Sequence, residues 1–376
     1  MAPKYRNTLK MITGAVLVVV MLAGCLPSIE DLEAIVYAPL AGGDWPVSTP
    51  EAQGLNPLLV AALYHQAART ETTNSVLVVK NGKLIAEGYF NDGAIDFKND
   101  IASVTKSFTS ALVGIAIDQG CLTGVDQKMM EFFPELADQV SDARKNEITI
   151  QQMLQMRAGY PWEESSAALF DLMYYGWRAS TLVDVPLIRD PGSGFDYSNL
   201  SSHLLAIIVA RACNTDLKPY AQEHLLSPIG AEVGDWIYDW EYHRIGHAGM
   251  YLTARDLAKF GLLYLADGVW EGEQVVPGWW VRQSLQTYTE DAWGPRVGKN
   301  FTDMGYGYQW WSGRAGDHEF NFAWGHGGQV IALVAEYNMV IVVTADPLYE
   351  QHGGDSSWKH EKENLNLVGD FISTLP

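Results

Sequence analysis

The stretch Asp100-Ile101-Ala102-Ser103-Val104-Thr105-Lys106-Ser107-Phe108-Thr109-Ser110-Ala111-Leu112-Val113-Gly114-Ile115-Ala116-Ile117 organises the rest of the chain. From Val104 onward, Phe108, Leu112, Ile115 and Ala116 recur at three- and four-residue steps, which predicts a buried amphipathic helix. Ser103 falls in its first turn. Residues three apart share a helix face, so the Lys106 amine can reach the Ser103 hydroxyl. A serine hydroxyl becomes a nucleophile when a neighbouring base takes its proton. Burial lowers a lysine pKa and makes the amine such a base. Free N–H groups at the helix start favour a developing oxyanion. The same four residues also read as an ordinary helix start with a solvated lysine. Ser-x-x-Lys occurs again at Ser356-Ser357-Trp358-Lys359, in a polar setting that reads as an exposed loop or helix start.

The surroundings bound the answer. A chain of 376 residues with 48% hydrophobic and 19% charged residues is long enough for a large core and reads as globular. Its net charge of −20 argues against a nucleic-acid partner, because phosphate binding needs a basic face. Lys4, Arg6 and Lys10 precede an apolar run from Met11 to Gly24, short for a spanning helix and suited to a cleaved signal. That run ends in Leu22-Ala23-Gly24-Cys25. Residues 1–24 are therefore expected to be a signal peptide and 25–50 a Pro- and Gly-containing tether. Residues 51–376 are expected to form one catalytic-type domain. Cys121 and Cys213 read as buried thiols, with a disulfide between them left open.

Along the domain, Asn56–Arg69 predicts a helix. Ser75–Lys80 and Lys83–Phe90 flank Asn81-Gly82, a two-residue hairpin turn. Helical patterns dominate the middle: Thr149–Met156, Asn199–Ala212, Leu217–Leu226 and Thr253–Ala266. Strand patterns return at Tyr306–Trp311, Gln329–Tyr337 and Met339–Ala345, and a last helix covers Glu361–Ile372. The expected fold is α/β of the α+β kind. An antiparallel sheet of about five strands comes from both chain ends (51–102 and 300–376), flanked by helices, with a helical part inserted over 103–299.

Two further motifs carry chemistry. Gly192-Ser193-Gly194-Phe195-Asp196-Tyr197-Ser198-Asn199 is a glycine-rich loop feeding a helix. The Tyr197 hydroxyl could relay a proton, and the Asn199 amide could orient Lys106. Trp324-Gly325-His326-Gly327-Gly328-Gln329 opens an apolar strand, and its glycines allow close backbone approach. The Gln329 N–H is the expected partner of the Ser103 N–H in an oxyanion hole. His326, Gly327 and Gly328 are expected to line the substrate site. Taken singly, Tyr197 also reads as structural and His326 as a turn histidine.

The three motifs in this order resemble the serine β-lactamase-like superfamily. That group includes class C β-lactamases, D-alanyl-D-alanine carboxypeptidases, D-aminopeptidases, certain esterases and 6-aminohexanoate-dimer hydrolases. The resemblance runs from about Trp45 to the C-terminus. Ser103-Val104-Thr105-Lys106 and Tyr197-Ser198-Asn199 match closely, while His326-Gly327-Gly328 stands where β-lactamases have Lys-Thr-Gly. Met156-Arg157-Ala158-Gly159, the run Gly249–Gly261 and Tyr308-Gln309-Trp310-Trp311 look nearest to the 6-aminohexanoate-dimer hydrolase branch. The start of the chain resembles a bacterial lipoprotein signal. That implies a lipidated Cys25 and a place on the membrane of the cell envelope.

The resemblance implies a serine hydrolase acting on a small amide or ester through an acyl-enzyme, without a cofactor. Ser103 would attack, and Lys106 and Tyr197 would share the acid and base roles. A β-lactamase or D,D-peptidase is the alternative within the family. A catalytically silent ligand-binding lipoprotein is the alternative outside it. His243-x-x-x-His247 has metal-like spacing, but Gly246 and Gly249 argue against a helix there, so no metal is expected. Tyr174, Tyr175 and Trp177 are candidates for a lid.

Overall fold

In the computed structural model the described residues are 27–40, 45–167, 169–170, 177–294, 296–351 and 357–376. The signal and lipidation expectations at 1–25, and Tyr174 and Tyr175, lie outside them. No helix among the described residues is long and apolar enough to cross a membrane.

Helix α1 (Pro57–Ala67) starts on an Asn56 cap with Pro57 at its first position, as helix N-termini favour. Strands β1 (Thr73–Lys80) and β2 (Lys83–Tyr89) form the first hairpin. Its turn residues Asn81 (φ 51°) and Gly82 (φ 73°) are both left-handed, the conformation a two-residue turn demands. Then come α2 (Thr105–Asp118), α3 (Asn199–Ala212), α4 (Ala254–Leu265) and α5 (Gly278–Leu285). The remaining strands are β3 (Arg296–Val297), β4 (Phe301–Tyr306), β5 (Trp311–Ala315), β6 (His318–Gly325), β7 (Gln329–Val334) and β8 (Met339–Ala345). Helix α6 (Ser357–Ser373) closes the chain.

The sheet runs β2-β1-β8-β7-β6-β5-β4-β3, so the first hairpin pairs with the last strand. It holds seven full strands and a two-residue stub, not five. The aromatic run Tyr306–Trp311 is a bend between two strands, because Gln309 takes φ 61° and turns the chain. Strand β6 went unrecognised.

Both faces of the sheet are covered, which is why its central strands are apolar throughout. In β1, Leu77 and Val79 belong to the core shared with α2, α3 and α4, while Val76 and Val78 belong to the core shared with α1 and α6. The Phe108 and Phe260 rings, 3.8 Å apart, join α2 to α4. The ends of α2 and α3 are tied by a disulfide between Cys121 and Cys213, with Cα atoms 5.1 Å apart.

Candidate active site

Ser103 sits on a 3-10 turn, Ala102–Val104, that leads into α2. Ala102 has φ 45°, an uncommon conformation for a residue with a side chain and of a kind that clusters at functional sites. Its N–H donates to Asp100 Oδ1 (2.9 Å), which holds the turn.

Lys106 is 2% exposed, and its ammonium has three acceptors. These are Ser103 Oγ at 2.9 Å, Asn199 Oδ1 at 2.8 Å and the His247 carbonyl at 3.1 Å. Burial lowers its pKa to about 7, with Glu164 and Glu163 partly opposing. Near neutrality a large share of this amine is therefore free base, with a lone pair that can face the Ser103 hydroxyl.

Tyr197 lies beneath the same cation, Lys106 Nζ standing 4.7 Å from the ring centroid. Desolvation raises the pKa of its phenol, and the nearby Ser103 side chain partly opposes that. It rests as a phenol and is fitted to relay a proton. The ring stacks on Trp311 at 5.7 Å.

Asn199 is fixed from below by a residue that no motif flags. Glu163 is buried and accepts from Ser198 Oγ (2.8 Å) and the N–H groups of Asn199 (2.8 Å) and Leu200 (3.0 Å). It caps the start of α3, where the helix dipole favours a carboxylate. Burial nonetheless raises its pKa against those bonds. Glu164 accepts from Asn199 Nδ2 at 3.0 Å.

One helical turn after Asn199, His203 meets Asp239 at 3.0 Å, both side chains fully buried. Burial holds His203 below its ordinary pKa. Gly246 N–H donates to His203 Nδ1 (3.4 Å) and Thr109 Oγ1 donates to the Gly246 carbonyl (2.8 Å). These bonds pin the segment that offers the His247 carbonyl to Lys106. His243 instead joins Asp239 and Glu241, whose ligand-type atoms lie within 4.8 Å of one another. His243 and His247 thus serve different neighbourhoods.

The third motif arrives at the end of β6. A Cβ on Gly325 would stand 2.5 Å from the Ile101 carbonyl and 3.1 Å from the Ser103 nitrogen, so only glycine lets this strand end close on the nucleophile turn. His326 Nδ1 pairs with Glu361 Oε2 at 3.0 Å, and that bond raises its pKa. Glu361 also accepts from Trp324 Nε1 (2.8 Å) and the Gly327 N–H (3.0 Å). The Gly328 N–H donates to the Gly325 carbonyl, and the Gly327 carbonyl accepts from Asn364 (both 3.0 Å).

Gln329, the expected second oxyanion donor, begins β7 in register with Gly325, and its side-chain amide is bound to Ala345 at 2.7 and 3.0 Å. Gly325 and His326, not Gln329, line the cavity above Ser103.

That cavity is about 420 Å³, with Ser103 and Tyr197 at its floor and Trp162, Trp293, Trp324 and Trp358 among its walls. A hollow of about 400 Å³ at the other end of α2, beside Ile115, Asp118 and His224, contains none of these groups.

The profile of one protein family, Beta-lactamase, matches residues 66–363. The chain belongs to the Beta-lactamase family. It is 29% identical over 255 residues to a 6-aminohexanoate-dimer hydrolase from Paenarthrobacter ureafaciens, covering 64% of each chain. It is 28% identical over 149 residues to Beta-lactamase-like protein 2 of Dictyostelium discoideum, covering 39% of this chain and 27% of that one. It thus spans less than two thirds of these relatives' lengths. Its fold is like that of a putative 6-aminohexanoate-dimer hydrolase from Bacillus anthracis (TM-score 0.64, 22% identity, 91% of this chain and 89% of that one). It is also like that of EstCE1, a hydrolase with promiscuous acyltransferase activity (TM-score 0.65, 16% identity, 84% and 97%). Members of the Beta-lactamase family are typically hydrolases.

Proposed function

We propose that this chain is a serine hydrolase that cleaves a small amide or ester through an acyl-enzyme, in the manner of the 6-aminohexanoate-dimer hydrolases and esterases of its family. The observation that carries this is Lys106: a buried amine of pKa about 7, 2.9 Å from Ser103 Oγ and 2.8 Å from Asn199 Oδ1.

In the proposed reaction Ser103 Oγ bonds to the substrate carbonyl carbon and its proton passes to Lys106 Nζ. The oxyanion is held by the Ser103 N–H and a backbone N–H from the Gly325–His326 strand end. Collapse breaks the bond to the leaving amine or alcohol, which takes the proton from Lys106 through the Tyr197 phenol. Water then attacks the ester on Ser103. Its proton returns by the same relay to Ser103 Oγ, which releases the acid.

His326 is tied to Glu361, so it is a poor substitute for the lysine that β-lactamases carry in the third motif. This disfavours carboxylate-bearing β-lactams. The site is proposed to work at the bacterial envelope, with Cys25 lipidated. Radiolabelled palmitate carried by the wild-type protein and missing from C25A would support that placement.

A fluorophosphonate probe tests the central reading. It is expected to label the wild-type protein and to leave Ser103→Ala unlabelled, with ester turnover lost in that variant. Turnover unchanged in Ser103→Ala would refute it.

A further inference from the structure

The cavity walls show a selectivity that the three motifs do not encode. Trp162 and Trp324 stand 5.3 Å from Trp293 on either side, ring centroid to centroid, and Trp358 stacks on Trp324 at 6.1 Å. Trp311, 5.8 Å from Trp293, continues the wall toward Tyr197. Indole faces are electron-rich and attract a cation by their quadrupole.

One wall ring already holds a cation, Lys362 Nζ standing 5.5 Å from the Trp358 ring centroid, and the charges deeper in the cavity favour another. Glu361 and His326 offset one another as a pair. Lys106 lies over the Tyr197 ring, buried and committed to three protein acceptors. Glu164 lines the cavity beside an amide neighbour, and no lysine or arginine among the described residues forms an ion pair with it. Its field reaches Lys106, Tyr197 and His326. The protein as a whole carries a charge of −20. A neutral aromatic group would fill the indole wall but leave Glu164 uncompensated. A carboxylate would meet it with like charge.

On the serine-hydrolase reading above, we infer that this site selects esters or amides bearing a compact alkylammonium group, held between the indole faces and the Glu164 carboxylate.

The test uses two thioacetates with the same acyl group. One is acetylthiocholine, and the other is its uncharged carbon isostere, 3,3-dimethylbutyl thioacetate. Thiol release gives kcat/KM for each. The cation is expected to be favoured by roughly tenfold at low ionic strength, the size of one desolvated cation–π contact. The preference should shrink as salt screens the carboxylate, and should shrink again in E164Q. Tetramethylammonium chloride should slow fluorophosphonate labelling of Ser103 in the wild-type protein more than sodium chloride at equal ionic strength. Equal or faster turnover of the isostere, with labelling of Ser103 intact, overturns the inference and leaves the hydrolase reading standing. Absence of both labelling and turnover overturns the two together. The wild-type comparison decides even where E164Q fails to fold.

Discussion

At the floor of the cavity, Lys106 gives its three ammonium donors to protein acceptors, and Asn199 and His203 beside it are buried. At the rim, Trp358 is 39% exposed, His326 is half-exposed, and the polar groups look into a space about 420 Å³ in volume. The floor is a closed hydrogen-bond network in a low-dielectric setting, where losing one partner leaves another unsatisfied. The rim is an open surface, where each contact contributes in proportion to the substrate it touches. Reaction chemistry belongs to the first region and substrate choice to the second.

Substitutions can break or sharpen that contrast. Lys106→Met removes the base and is expected to lower acylation by about 10² to 10⁴, read from the rate of probe labelling, with binding of substrate little changed. Loss of less than about tenfold would move the base elsewhere. Gly325→Ala lies between floor and rim. Its Cβ would press on the Ile101 carbonyl and the Ser103 nitrogen, so about 10² is expected to be lost in kcat, with about 1–3 kcal/mol of stability.

His203→Gln loosens the segment carrying the His247 carbonyl. Because burial lowers the Lys106 pKa, admitting water should raise it. The rising limb of kcat/KM, expected near pH 7 in the wild-type protein, should then move to higher pH, with activity at pH 7 down about tenfold. A fall in activity with an unmoved limb would make His203 purely structural. Trp358→Phe, at the rim, should change KM by about threefold and kcat hardly at all.

Where the sequence could be read follows the same division. Ser103 and Lys106 sit three residues apart on one helical turn, and Tyr197 and Asn199 are neighbours, so local spacing exposes both pairs. The first hairpin is written in Asn81-Gly82, whose conformation is local too. Glu163, Glu164 and Glu361 are single carboxylates that reach the site from 34 to 37 residues away, and no local pattern marks them. Strand β6 does alternate over its first half, with Phe320 and Phe322 buried between exposed Glu319 and half-buried Asn321, but the alternation stops at Ala323 and leaves it short. The close approach of Gly325 to the Ser103 turn is a contact between distant segments, so local sequence does not mark it.

The cross-link between Cys121 and Cys213 joins α2 and α3 at their C-terminal ends. Each helix has 14 residues, so at about 1.5 Å per residue the opposite ends, which bear Lys106 and Asn199, lie some 20 Å away. The two rods resemble tongs riveted at the handle, with the 2.8 Å amine–amide contact held in the jaws. A thiol reductant acting at the rivet would therefore be felt as play in the grip, far from any sulfur.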